Sequence, residues 1–131
     1  HPRNKFVAGF IGSPAMNFFP VSTKSGSEMV KFSDGQSVTL PKFKEQNGDF
    51  VLGIRPEHFK YSNDLHGLSF YILSSEQTGS ETLIQCQLDE KPITILLHSR
   101  LTVTLGDKKI FGFETENLRL FDKNTGECIS S

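Results

Sequence analysis

Short segments in which apolar and polar residues alternate recur along the second half of this chain, and this pattern limits the folds that it can adopt. Alternation with a period of two is typical of strands that bury one face. The segments are residues 68–74, 82–88, 93–98 and 108–113, and turn residues separate them at Gly79, Asp89-Glu90 and Gly106-Asp107. Strands spaced about ten residues apart predict a mainly β fold, either a small antiparallel barrel or a sandwich.

The first half shows the same pattern with clearer turns. Residues 29–32 and 37–40 flank Asp34-Gly35, which is a signal for a two-residue β-hairpin loop. Asn47-Gly48 precedes a predicted strand over residues 49–55. Pro56 ends that strand, because the residue before a proline is biased towards extended geometry.

The two ends of the chain carry different signals. Asn4 is placed to cap a short helix that runs through Ile11 and ends at Gly12, Ser13 and Pro14. Residues 118–129 predict a strand, a turn at 124–126 and a returning strand. The sequence shows no internal repeat and no low-complexity segment.

Composition narrows the class of protein. A length of 131 residues suits one domain with a real core. The 14 basic and 15 acidic side chains leave a net charge of −1, which does not favour a nucleic-acid partner. The apolar runs are too short to span a bilayer. Two cysteines are too few for a disulfide framework, and the alternation in residues 82–88 predicts that Cys86 is a core residue.

Motifs for common cofactor chemistry are missing from the sequence. It contains neither a phosphate-binding P-loop nor a dinucleotide-binding glycine turn, so we expect no bound cofactor in this chain. The histidines at positions 1, 58, 66 and 98 lack the spacing of a metal site, and we expect no metal. Glu57-His58 is an acid and imidazole pair beside a turn, which leaves open a small hydrolase. A hydrogen-bonded corner is the favoured interpretation, and no catalytic residue is predicted.

Four strings resemble one protein family. They are FVAGFIGSP at residues 6–14 with Met16-Asn17, GIRPEH at 53–58, EQTGSET at 76–82, and LRLFD at 118–122 with Thr125-Gly126. Together they resemble the C-terminal regulatory region of ATP-binding subunits of ABC importers of the maltose and glycerol-3-phosphate type. The chain starts at His1 without an initiator Met, so we expect it to be a piece of a longer protein.

The resemblance implies a fold and a role. The implied fold is mainly β, an OB-like (TOBE) small barrel or sandwich of antiparallel strands with a short N-terminal helix. Residues 1–17 would form the junction helix from a missing ATPase domain, and residues 18–131 a single regulatory β-domain. The implied role is non-catalytic regulation and dimerisation for a transporter of sugars, polyols or glycerol phosphate, with ATP and Mg held by the missing domain.

The implied partners are the chain's own ATPase domain, a second ATP-binding subunit in a homodimer, membrane permease subunits and a regulatory protein. No nucleic acid is among them, although an OB-type nucleic-acid binder is a weaker alternative. The implied location is the cytoplasmic face of the cell membrane, reached through the parent transporter. The leading alternative is a domain that senses a solute or an oxyanion and inhibits transport, with its ligand at the barrel or the dimer seam.

Two sets of residues are predicted to matter. The interface or ligand set is Arg55, Glu57, His58 and Lys108, and the junction packing set is Phe6, Phe10, Met16 and Phe18. Arg55 offers a planar donor fork suited to a carboxylate. Its predicted partner is Glu57 of a neighbouring chain or Glu81 of the same chain.

Overall fold

The computed structural model describes residues 15–61 and 67–130. These residues form two compact units. The first unit comprises the described residues up to Ile54 together with those from Thr115 onwards, and the second runs from Arg55 to Glu114. Across residues 15–61 and 67–130, no helix has the length and apolar character needed to cross a bilayer.

Strands make up most of both units. In chain order they are β1 Asn17–Thr23, β2 Met29–Phe32, β3 Ser37–Thr39, β4 Gly48–Ile54, β5 Phe59–Tyr61, β6 Leu68–Thr78, β7 Glu81–Leu88, β8 Lys91–Leu97, β9 Lys108–Phe113, β10 Arg119–Asp122 and β11 Cys128–Ser130. Three short 3₁₀ helices lie at Pro41–Phe43, Pro56–His58 and Thr115–Asn117. The predicted mainly β, antiparallel fold is confirmed.

The first unit is a six-stranded sheet with the order β11-β10-β4-β1-β2-β3. Its β2–β3 hairpin confirms the turn predicted at Asp34-Gly35, but the loop has three residues, since Phe32 N donates to Gln36 O at 2.7 Å. Gly35 takes a φ of +92°, which a residue with a side chain adopts only with strain. Asp34 Oδ1 accepts a hydrogen bond from Gln36 N at 3.1 Å and so fixes the turn.

A second turn in this unit joins β10 to β11, as the sequence predicts. The backbone N–H groups of Thr125 and Asn124 both donate to Asp122 Oδ1, each at 2.8 Å. These hydrogen bonds favour the charged carboxylate and hold the pKa of Asp122 below its usual value.

The β1 strand was not predicted, because Pro20 interrupts its pattern. Proline removes a ladder donor and normally argues against a central strand. Here β2 pairs only with Val21–Thr23, so Pro20 lies beyond the end of β2. The strand begins at Asn17, inside the stretch predicted as a junction helix. The helix predicted from Asn4 to Ile11 lies outside the described residues, and the predicted boundary at residue 18 stays a prediction.

The second unit is a five-stranded sheet with the order β5-β9-β6-β7-β8. Every second residue of β7 is buried, and Cys86 has 0% of its surface exposed, which confirms the prediction that it is a core residue. Burial raises the pKa of the Cys86 thiol to about 12. At the start of β7, the buried Thr82 Oγ1 donates to Ser99 O at 2.7 Å and accepts from Leu101 N at 3.0 Å.

The two units share one strand topology. In the first unit, β1, β2 and β3 form a meander. The fourth strand, β4, pairs with β1, and the fifth, β10, pairs with β4. The second unit has the same arrangement: β6, β7 and β8 form the meander, β9 pairs with β6, and β5 pairs with β9. The strand pairing of one unit is thus repeated in the other, although the sequence shows no internal repeat.

The fifth strand of each unit follows directly from the fourth strand of the other unit. β4 leads through the 3₁₀ helix Pro56–His58 into β5, and β9 leads through Thr115–Asn117 into β10. The sequences of these two passages are alike, with GIRPEHFKY at residues 53–61 and GFETENLRL at 112–120. In both sheets, the strand that pairs with the fourth strand thus follows, in the chain, a strand of the other sheet.

Candidate functional site

Three of the predicted site residues lie together at the passage from β4 to β5. Arg55 is extended, with φ −75° and ψ 150°, as expected for a residue before a proline. His58 N donates to Arg55 O at 3.0 Å, and Glu114 N donates to His58 O at 2.9 Å. These bonds hold Arg55, Glu57 and His58, all partly buried, in one tight turn.

The buried Nδ1 of His58 has no hydrogen-bond partner among the residues that the structure describes. The fourth predicted residue, Lys108, does not join this group. Phe59 pairs with Phe113 at one end of β9, whereas Lys108 lies at the other end. Five strand steps of about 3.3 Å separate Lys108 from Phe113, which is about 17 Å. The backbone of Lys108 therefore lies apart from Arg55 and His58, and a role of these residues in binding stays a prediction.

The intrachain partner predicted for Arg55 has another contact. Glu81 Oε2 lies 2.8 Å from His98 Nδ1, on an exposed part of the second unit. Exposed pairs of this kind contribute little to stability. A link from Glu81 to Arg55 thus stays a prediction, as does a link from Arg55 to a neighbouring chain.

The described members of the junction packing set pack against the first unit's sheet. The Phe18 ring makes an edge contact with Phe121, with 5.9 Å between ring centroids. A Cβ added at Gly53 would overlap Met16 Sδ and come within 2.9 Å of the Phe121 ring. The glycine of GIRPEH is thus required by packing around these side chains. Phe6 and Phe10 lie outside the described residues.

A groove in the first unit was not predicted from the sequence. Strand register aligns Lys31 of β2, Ser22 of β1 and Asp49 of β4 in one row across the sheet. Side chains of paired residues point to the same face, about 5 Å apart. Lys123 follows β10 and lines the same groove, whose volume is ≈ 380 Å³.

The groove combines an apolar floor with polar walls. Its lining includes Pro20 and Val51, which lie on the same face as the row, as well as Ser33. Within residues 15–61 and 67–130, the side chains of Ser22, Lys31, Asp49 and Lys123 make no hydrogen bond or ion pair with one another or with other side chains. The sequence signal for this site is the alternation of β1, which Pro20 conceals.

The second unit has a counterpart to this row, but with different residues. Counting four residues back from Gly53 and from Gly112 reaches Asp49 and Lys108, which therefore occupy equivalent places. Tyr71 pairs with Lys108 as Ser22 pairs with Asp49. The second unit thus places a large aromatic side chain where the first unit has a small hydroxyl.

Clusters suited to metal chemistry are not found in the described part of the chain, where no three His, Cys, Asp or Glu side chains come together. Two protein-family models match this chain. The model described as the MalK OB fold domain matches residues 12–59, and the model described as the TOBE domain matches residues 52–121. This chain belongs to the TOBE domain family.

Relatives of this TOBE domain are ATP-binding proteins of transporters. The sulfoquinovosyl glycerol transport ATP-binding protein SmoE of Agrobacterium fabrum is 30% identical over 135 residues, which cover 98% of this chain and 37% of SmoE. The sn-glycerol-3-phosphate import ATP-binding protein UgpC of a Ruegeria species is 33% identical over 131 residues, covering 98% of this chain and 36% of UgpC. The chain spans little more than a third of the length of these relatives.

A solved structure shares the fold of this TOBE domain. The molybdate-bound crystal structure of the cytoplasmic molybdate-binding protein ModG superimposes with a TM-score of 0.57. The superposition covers 79% of this chain and 94% of ModG, with 12% sequence identity. At that identity the likeness concerns the fold.

Proposed function

We propose that this chain is the C-terminal regulatory and dimerisation domain of an ATP-binding subunit that powers import of sugars, polyols or glycerol phosphate. The observation that carries the proposal is that transport ATP-binding proteins such as SmoE and UgpC align with nearly all of this chain over about a third of their own length. The domain itself performs no chemistry, while a separate ATPase domain holds ATP and Mg. The parent would act beside permease subunits at the cytoplasmic face of the membrane.

A surface in the second unit is suited to self-association. Tyr71, Leu73 and Leu105 have 39%, 44% and 61% of their surfaces exposed, which is unusual for large apolar side chains. They are neighbours, because Gly106 N donates to Ile72 O at 2.9 Å and holds the following turn against β6. Two-fold dimers need a patch that contacts its own copy, and an apolar patch suits that need.

The molar mass of the chain tests this proposal. We expect light scattering over a concentration series to rise reversibly from the monomer value of 14.7 kDa towards twice that mass. Replacing Leu73 and Leu105 by Ser removes apolar contact area and weakens the dimer about tenfold or more. The control is Ile129→Ser, which alters a similarly exposed residue in the first unit. A strict monomer at millimolar concentration would contradict self-association by this domain.

A second candidate function is a sensor that inhibits transport when it binds a solute or an oxyanion. Two observations support it. The first is the groove of the first unit, whose charged side chains have no partners among the described residues. The second is the shared fold with ModG, a protein that binds molybdate. Titration with candidate solutes tests this function directly.

A further inference from the structure

We propose that the groove of the first unit binds a small solute that carries one phosphate group and several hydroxyl groups. This inference rests on the sensor function and names the class of ligand for it. The polar row of Lys31, Ser22 and Asp49, with Lys123 beside it, supplies the contacts.

The groove carries a carboxylate between two cations, because Asp49 and Ser22 lie in the row between Lys31 and the position of Lys123. Lys31 and Lys123 provide two ammonium groups for a phosphate dianion. Asp49 repels an anion, but its carboxylate accepts hydrogen bonds from hydroxyl groups. A phosphate ester of a polyol satisfies both demands, whereas a bare oxyanion meets the lysines alone.

The size and floor of the groove also fit this class. A volume of ≈ 380 Å³ is at the small end of the range of about 300–1,000 Å³ that is common for ligand pockets. Pro20 and Val51, which lie on the same face as the row, offer apolar contacts for the carbon skeleton, while Ser22 and Ser33 offer hydroxyl partners. A glycerol or monosaccharide phosphate is of suitable size, and a long oligosaccharide would extend outside.

The repeated topology supplies an internal comparison. Tyr71 takes the place of Ser22 in the second unit, and Lys108 takes the place of Asp49. The carboxylate that would receive hydroxyl groups is therefore replaced by a cation there, and the small residue by a large one. We infer that the phosphate ester binds in the first unit and not at the equivalent place in the second.

The experiment is a titration of the chain followed by two-dimensional amide NMR. The probes are sn-glycerol 3-phosphate, inorganic phosphate, glycerol and molybdate, each at the same ionic strength. We expect glycerol 3-phosphate to shift amides of residues 20–22, 31–33, 49–51 and 123, with a dissociation constant on the order of 1 mM. Inorganic phosphate and molybdate should bind at least fivefold more weakly, and glycerol should cause no shift.

Variants connect the shifts to the groove. Lys31→Gln with Lys123→Gln should weaken binding at least tenfold. Lys24→Gln with Lys44→Gln changes the net charge equally at exposed residues that do not line the groove, and should leave binding unchanged. Ser22→Tyr copies the second unit and should abolish binding, with amide dispersion reporting that the chain remains folded.

Several results would overturn the inference. These are no shifts at 20 mM glycerol 3-phosphate, equal affinity for phosphate or molybdate, equal affinity for glycerol, or equal losses in both pairs of lysine variants. Measurements at concentrations where light scattering reports a monomer separate this test from dimerisation. A failure to bind would then leave the proposed self-association intact, and a failure to dimerise would leave the groove's ligand intact.

Discussion

Replacing Gly53 by Ala tests the packing behind the GIRPEH string. The added methyl group would overlap Met16 Sδ and lie 2.9 Å from Phe121 Cε2. Ordinary carbon contacts are about 3.5–4.0 Å, so both side chains must move. Overpacking of this kind costs about 1–3 kcal/mol, and the lower flexibility of Ala in the unfolded chain offsets about 0.5–1 kcal/mol. We therefore expect a net loss of about 1–2 kcal/mol in the free energy of unfolding.

Urea denaturation followed by circular dichroism measures this loss. The decisive control is the double variant Gly53→Ala with Met16→Ala, because removing the Met16 side chain frees the space nearest to the new methyl group. The two changes should therefore couple favourably by at least about 0.5 kcal/mol in a double-mutant cycle. A Gly53→Ala variant as stable as the parent, or a strictly additive cycle, would refute the account of this glycine.

Three further predictions concern hydrogen bonding and titration. Thr82→Val removes the two hydrogen bonds that a buried hydroxyl makes with Ser99 O and Leu101 N, and should cost about 1–2 kcal/mol in urea denaturation. Thr94→Val, at a partly buried position, should cost less. In a thiol assay at pH 8, Cys128 should react quickly in the folded chain and Cys86 only after denaturation, since Cys86 is buried with a pKa of about 12. The lowered pKa of Asp122 stabilises the folded chain above the carboxyl's usual pKa, and this stabilisation is lost as the pH falls towards the lowered value. The acid limb of the stability curve should therefore be flatter in Asp122→Asn, and an unchanged limb would contradict this assignment.

Local features of the fold were predictable from the sequence because each has a local cause. Gly35 permits a backbone angle that closes a hairpin, and Pro56 forces extended geometry on Arg55. The burial of Cys86 follows from the alternation of its strand. Motif resemblance added the family, which the comparisons confirm.

Features that depend on distant pairing were not predictable in the same way. Lys108 and His58 look equally available in the sequence, but His58 lies beside the Phe113 end of β9, whereas Lys108 lies at the other end of that strand. The groove row needs the register of three strands, and register is set by pairing between segments that lie well apart in the chain. The repeated topology is also hidden in the sequence, because most residues at equivalent positions of the two units differ.

The positions of β5 and β10 in the chain decide where the chain can be cut. A fragment that ends after β5 keeps a strand that belongs to the second unit's sheet and lacks β10 of its own sheet. A fragment that begins at β6 has the opposite fault, because it carries β10 and lacks β5. Each fragment would expose an unpaired edge of its sheet, and each holds the strand that the other needs. A cut between β5 and β6 therefore gives two incomplete pieces, which are natural candidates for complementation when they are mixed.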